Sequence, residues 1–271
     1  MQKIRTILIA LLTLVASSAM AQCPLTNTAF NSGETLTYNL YFNWKFVWVK
    51  VGTASLTTSQ TKYKGKDAFR SSLITGGNGK LDKFFVMRDT LTGYVTPTLS
   101  PLYFRKGAVE GKRYTVDEVW YDYPNGKCKL KMHRLKHDGT HAHSEKTCEQ
   151  CVYDMLNIFS RARSLDPSGW KKGHTEKFLV ADGNGTTTAI LRYDGKETVK
   201  GDNKVKYRCM KLTYLEWKES KKEYRQYATF FVTDDSNHVP VRIDITLNFG
   251  HAKAFVTTMK GNRNPLTSIV K

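Results

Sequence analysis

The stretch from Gly33 to Leu56 limits what this chain can fold into more than any other. Leu36, Tyr38, Leu40, Phe42 and Trp44 alternate with more polar residues, which places them on one face of a strand. Phe46 to Val51 is apolar on both faces. One face of that second strand must therefore meet something other than the first core: a second sheet, a covering helix or a bound apolar ligand.

The rest of the chain repeats the β pattern. Runs such as Ala68 to Thr75, Leu91 to Val95, Tyr114 to Tyr123, Lys204 to Trp217 and Val239 to Phe249 are separated by glycine and proline turns at the short intervals of an antiparallel meander. Val152, Met155, Leu156 and Phe159 fall at i, i+3, i+4 and i+7, which predicts a helix over Val152 to Arg163, with Arg161 and Arg163 suited to its C-terminal dipole. Leu81, Phe84 and Phe85 predict one further helical turn over Lys80 to Val86. The expected fold is mainly β: an antiparallel, strongly curved sheet or open barrel with one substantial helix. It reads as one domain from residue 22 to 271. The aromatic pair Phe84-Phe85 before Pro101 echoes Phe230-Phe231 before Pro240, as two related sheet halves meeting near 150–170 would produce.

Residues 1–21 read as a signal peptide: Lys3 and Arg5, the apolar run Ile7 to Val15, then Ala19-Met20-Ala21 as the cleavage box. A periplasmic location follows. Lipoprotein anchoring through Cys23 is disfavoured, because Gln22 stands where acylation wants a small residue. Without Lys3 and Arg5 the mature chain has 40 basic and 24 acidic residues, a net of +16. Such a field attracts an anionic membrane surface or envelope glycan, and compartment excludes nucleic acid. The lysines are nonetheless spread over alternate strand positions, as in Lys62, Lys64, Lys66 and Lys127, Lys129, Lys131, where a solvated face is the stronger account of them.

Four short patterns recur in a recognisable order: Gly33-Glu34-x-Leu36-x-Tyr38, Val51-Gly52-x-Ala54, Asp154-Met155-Leu156 and Asp234-Asp235-x-x-x-x-Pro240-Val241. Together they resemble the bacterial exported family called domain of unknown function 3108, over nearly the whole mature chain. That resemblance implies export and carries no activity. The acidic turn before a proline-led strand is also similar to periplasmic lipoprotein carriers of the LolA type, which implies a curved sheet closing over acyl chains.

Chemistry-bearing residues gather in one segment. His133, His137, His141 and His143 supply imidazoles that suit a metal, with even spacing putting His133 with His137, and His141 with His143, on shared strand faces; exposed hairpin histidines give the same pattern. Cys128, Cys148 and Cys151 are disulfide candidates, either Cys148 to Cys151 or one of them to Cys128, and Cys148-Glu149-Gln150-Cys151 could alternatively be a redox pair at a helix start. Asp89, Asp234 and Asp235 are the only carboxylate candidates for glycoside cleavage, and they are equally ordinary turn formers. No nucleophile elbow, phosphate loop or zinc-protease helix occurs. An enzyme is therefore disfavoured, and no cofactor is expected. The function read from the sequence is a noncatalytic binding or carrier protein for an amphipathic, anionic ligand such as a lipid, lined by Tyr38, Leu40, Phe42, Trp44, Phe46 and Trp48. The alternative is an envelope-assembly or glycan-binding module with an exposed aromatic and basic groove.

Overall fold

A computed structural model describes residues 23–44, 47–77, 79, 87–247 and 250–271. The signal peptide expected over residues 1–21, Phe46 with the side chain of Trp44, and the turn expected over Lys80 to Val86 lie outside the described residues.

Eight strands follow one another from the N-terminal side: β1 (Phe30–Trp44), β2 (Val47–Tyr63), β3 (Lys66–Gly77), β4 (Met87–Val95), β5 (Pro101–Glu110), β6 (Arg113–Asp122), β7 (Cys128–Leu135) and β8 (His141–Cys148). Then come β9 (Val152–Tyr153), the helix α1 (Met155–Arg163), β10 (Thr175–Ala181), β11 (Thr186–Lys200), β12 (Lys206–Lys218), β13 (Glu223–Thr233), β14 (Pro240–Leu247), β15 (Gly250–Asn262) and β16 (Ile269–Val270). They form one sheet in the order β8-β7-β6-β5-β4-β3-β2-β1-β15-β14-β13-β12-β11-β10-β9, with β16 beside β12. Every described pairing is antiparallel except β9 with β10. The chain thus meanders away from β1 to β8, crosses through β9 and α1, and meanders back until β15 lies against β1. This is the curved, nearly closed barrel that the strand pattern predicts.

The barrel closes at a seam through side chains. Lys146 Nζ donates to Thr186 Oγ1 at 2.6 Å, Ser144 Oγ to the Asn184 carbonyl at 3.3 Å, and Arg134 Nη2 to the Asp182 carbonyl at 2.6 Å. These bonds cover the β8 edge, whose free backbone groups would otherwise invite another strand. Elsewhere the strands approach closely. A Cβ on Gly52 would lie 2.2 Å from the Gly76 carbonyl oxygen, so only glycine lets β2 and β3 pack there.

The helix begins later than the apolar spacing predicts. Val152 and Tyr153 pair with Leu179 and Val180 of β10, because a β-branched and an aromatic residue suit a buried strand. Asp154 then caps α1, accepting from the Leu156 and Asn157 amides at 3.0 and 2.9 Å. The expected apolar stripe is also corrected: Met155 is 59% exposed, while Leu156, Asn157, Ser160 and Arg163 are the buried positions. Hydrogen bonds, more than apolarity, choose the buried face. On β4 a Cβ at Gly93 would meet Asn157 Oδ1 at 2.7 Å, so the helix sits directly on the inner face of the sheet.

Asp154 receives two further bonds, from Tyr121 Oη at 2.9 Å and Asn157 Nδ2 at 2.6 Å. Burial pushes its carboxyl up to about 6, with those donors pulling the other way. The folded protein then holds this proton through a range where the unfolded chain has lost it. Asp154 contributes stability below about pH 4, and that contribution is lost as the pH rises to about 6. The wild type should therefore fall in urea midpoint relative to Asp154→Asn between pH 4 and 6, with a constant difference above pH 7. A constant difference throughout would mean the carboxyl titrates normally.

Candidate functional site

Two ends of the barrel differ. At the end where α1 lies, the inner face is filled. Leu36, Val119, Leu130, Val241 and Val256 have no exposed surface, and Leu156 of the helix packs among them. Each such side chain contributes about 1.5–3 kcal/mol of burial. Arg163, the last helical residue, closes this end with a two-pronged pair to Glu34, Nη1 to Oε2 at 2.6 Å and Nη2 to Oε1 at 2.8 Å. Its Nε donates to the Asn237 carbonyl at 3.0 Å. Asn237 is held in turn by Asp235, whose carboxylate also accepts from Thr233 and Ser268.

Toward the other end the described residues of the same faces are less buried. Leu40 pairs with Ala254, which pairs with Ile243 and then Phe230; one row lower Phe42, Ala252, Ile245 and Ala228 repeat the arrangement. Leu40, Phe42, Ile243, Ile245, Leu247 and Phe230 are all only half-buried. Among the described residues they form an apolar wall that is only partly buried. Between the filled end and this wall, the Tyr38 hydroxyl is buried without a hydrogen-bond partner. Burial raises its pKa far above the ordinary phenol value, against the pull of Arg163. The hairpins at this end carry Lys112, Arg113, Lys136, Lys218, Lys221 and Lys222; Lys222 pairs with Glu219. Beside the seam a groove of about 290 Å³ opens among Thr115, Asp117, Arg134, Leu135, Lys136 and His137.

Of the predicted lining residues, Tyr38, Leu40 and Phe42 share the inner face. Trp48 does not. A register shift between the Leu40–Gly52 and Tyr41–Lys50 pairs leaves Val51 as an extra residue, so Trp48 pairs with Asn43 and faces outward. There it is 39% exposed, with Lys253 Nζ 4.2 Å above its ring. Val47 and Lys50 are exposed and Val49 and Val51 half-buried, so among the described residues of this strand neither face is fully buried.

Three of the four histidines converge. His133 on β7 stands opposite His143 and diagonal to His141 on β8, all on the outer face. Their rings stack, His133 lying 5.0 Å from His141 and 4.7 Å from His143. His137 occupies the intervening turn and does not join them. Next to His133 on β6, Glu118 accepts from its Nδ1 at 2.9 Å and from Tyr103 Oη at 2.5 Å. Burial pushes the Glu118 carboxyl up, but these hydrogen bonds more than offset it and hold the group below the usual range. Glu118 is a neighbour that sequence spacing does not reveal, because only β6–β7 pairing sets it beside His133. The same outer face bears an aromatic ladder of Tyr63, Tyr94, Tyr103 and Trp120, with successive ring centroids 5.0, 6.2 and 5.6 Å apart.

The cysteines pair differently from either expectation. Cys151 is bonded to Cys23, while Cys128 and Cys148 are free and face one another across β7 and β8. With its sulfur in a disulfide, Cys23 has none to offer an acyl chain. The redox reading fails too: Cys148 ends β8 rather than starting a helix, and burial raises its pKa, as it pushes the Cys128 thiol up to about 11. The carboxylate candidates are likewise dispersed. Asp234 pairs with Lys196 and Asp235 staples its own turn at the helix end, whereas Asp89 lies near the start of β4 at the other end.

The fold has a solved counterpart. A β-barrel-like protein of domain of unknown function 1849 from Brucella abortus superposes with a TM-score of 0.56 at 11% identity, covering 86% of this chain and 98% of its own. A protein of YmcC-like fold from Bacteroides fragilis is aligned over 88% of this chain and 100% of its own, at 10% identity and a TM-score of 0.35. None of the curated proteins matches the chain. A family profile described as "Protein of unknown function (DUF3108)" matches residues 37–257.

Proposed function

The chain belongs to the DUF3108 family, and from that barrel and its half-buried apolar wall we propose that it is a noncatalytic periplasmic binding or carrier protein for an amphipathic, anionic ligand such as a lipid. The observation that carries this reading is the contrast along single strands. On β1 Leu36 is wholly buried beneath α1, while Leu40 and Phe42 on the same face remain half-exposed. An acyl chain laid against the rows through Leu40 and Phe42 would gain about 0.8 kcal/mol for each methylene it buries. The lysines of the hairpins at this end of the barrel would then meet an anionic head group.

Native mass spectrometry of the mature protein purified from a bacterial periplasm tests this. The expected spectrum carries an excess mass matching a lipid, and Ile245→Glu, which puts a charge on the apolar wall, should abolish that excess while the fold survives by circular dichroism. A bare chain mass in the wild type would sink the carrier. The outward ladder ending at Trp120 favours the second reading, an envelope-assembly or glycan-binding surface, since aromatic faces stack on sugar rings. Under that reading Trp120→Ala, and not Ile245→Glu, would weaken binding to envelope glycan.

A further inference from the structure

The geometry points to a divalent transition-metal site on the outer wall of the barrel, with His133, His141 and His143 as ligands and Glu118 as the group that orients His133. We propose zinc as the ion to test, because its ordinary ligand set includes three imidazoles with a fourth position left for water.

The backbone supplies the arrangement. Two histidines separated by one residue on β8 project from the same face, and the third stands across from them on the neighbouring strand. All three rings present a nitrogen within 4.8 Å of the others. A tetrahedral zinc with bonds of about 2.0–2.1 Å would need those nitrogens about 3.3 Å apart. The rings are stacked nearly parallel, at 7° for His133 with His141 and 15° for His133 with His143. Convergence therefore requires rotation about the outer side-chain torsions, which the exposed His141 and His143 are free to make.

His133 need not turn far, because it is already held. Its side chain is 13% exposed, and its Nδ1 is bonded to a Glu118 carboxylate that is itself fixed by Tyr103. With Nδ1–H given to Glu118, the neutral ring presents the Nε2 lone pair outward. That atom lies 2.8 Å from His141 Nδ1, so one proton is shared where an ion would bind both. A carboxylate on the far nitrogen of a ligating imidazole is also the usual support for a metal-bound histidine, fixing its tautomer and raising its basicity. Ordinary solvated strand histidines would lack this partly buried, hydrogen-bonded anchor.

Titration calorimetry of the metal-free mature chain with zinc chloride, in a non-chelating buffer, decides the matter. One equivalent of zinc should bind. Glu118→Gln, which leaves all three imidazoles in place, should weaken binding about 10–100-fold. His141→Ala and His143→Ala should each weaken it more than that, and His137→Ala should leave it unchanged. Both alanine changes at His141 and His143 alter exposed side chains, so melting temperatures of the metal-free variants should match the wild type and separate lost ligation from lost structure. Absence of binding by the wild type would overturn the site. So would wild-type affinity in His141→Ala and His143→Ala, or a loss in His137→Ala as large as theirs.

Discussion

Replacing Arg163 by Met is expected to cost the fold about 3–5 kcal/mol, the range for breaking a buried ion pair from one side. Arg163 is 3% exposed and Glu34 1%. Without the guanidinium, a carboxylate is left in the interior with no cation, and the Asn237 carbonyl loses its donor at the same time. The Phe30 and Phe159 rings, each 5.6 Å from the guanidinium carbon, lose a stacked cation as well. Removing both charges together, as in Glu34→Leu with Arg163→Met, should recover much of the loss, because replacing a whole buried pair by apolar groups is often close to neutral. Urea unfolding of the two single variants and the double variant measures the coupling. A single-variant cost under about 1 kcal/mol would place the pair among surface salt bridges instead. The result bears on function, since this pair is what fastens α1 over one end of the barrel, away from the half-buried wall of Leu40 and Phe42.

That architecture was partly legible in the sequence. The alternation Leu36, Tyr38, Leu40, Phe42 marks a one-sided strand because side chains change face at every residue, and these four do share the inner face. The same periodicity misleads at Trp48. Without the extra residue at Val51 it would pair with Trp44 and face inward; with it, the face is reversed. A bulge is set by how two strands meet, which no single strand displays. The helix shows the same division. Its existence follows from spacing, but its buried polar face follows from Tyr121, Glu34 and Asn237, which reach it from distant strands and turns.

The four family-like patterns also change meaning in three dimensions. In the sequence Asp235 is a candidate carboxylate, while Glu34 and Asp154 are only members of those patterns. In the fold Glu34 fastens the helix end, Asp154 starts the helix, and Asp235 holds the turn that presents the Asn237 carbonyl to Arg163. Gly52 is the point where β2 and β3 have no room for a side chain. Glu34, Asp154 and Asp235 thus specify the closed end of the barrel, whereas Gly52 lies beside Leu40 toward the other end. The histidines were visible as a group, yet their separation into three clustered rings and one turn residue needed the β7–β8 register.

The disulfide has the second large expected effect, and it too is a product of topology. Cys23 and Cys151 are 128 residues apart, beyond anything that spacing could pair. They meet because Arg161 of α1 binds the Cys23 carbonyl at 2.9 Å, and the segment after Cys23 runs on to Asn27 and Ala29 beneath the helix end. Closing so long a loop restricts the unfolded chain strongly, by about 4–5 kcal/mol in the loop-entropy account, and loss of a native disulfide costs about 2–5 kcal/mol in practice. Cys151→Ser should therefore lower the unfolding free energy measured in urea by an amount in that range, and Cys23→Ser should match it. The two losses should not add in the double variant, since either alone removes the whole bond. Thiol titration of the denatured wild type should count three free thiols, from Cys128, Cys148 and Cys209. A count of one would mean that the facing Cys128 and Cys148 have also joined, and the single-serine variants would then lose less than the full range because a second staple still holds the sheet edge to its neighbour.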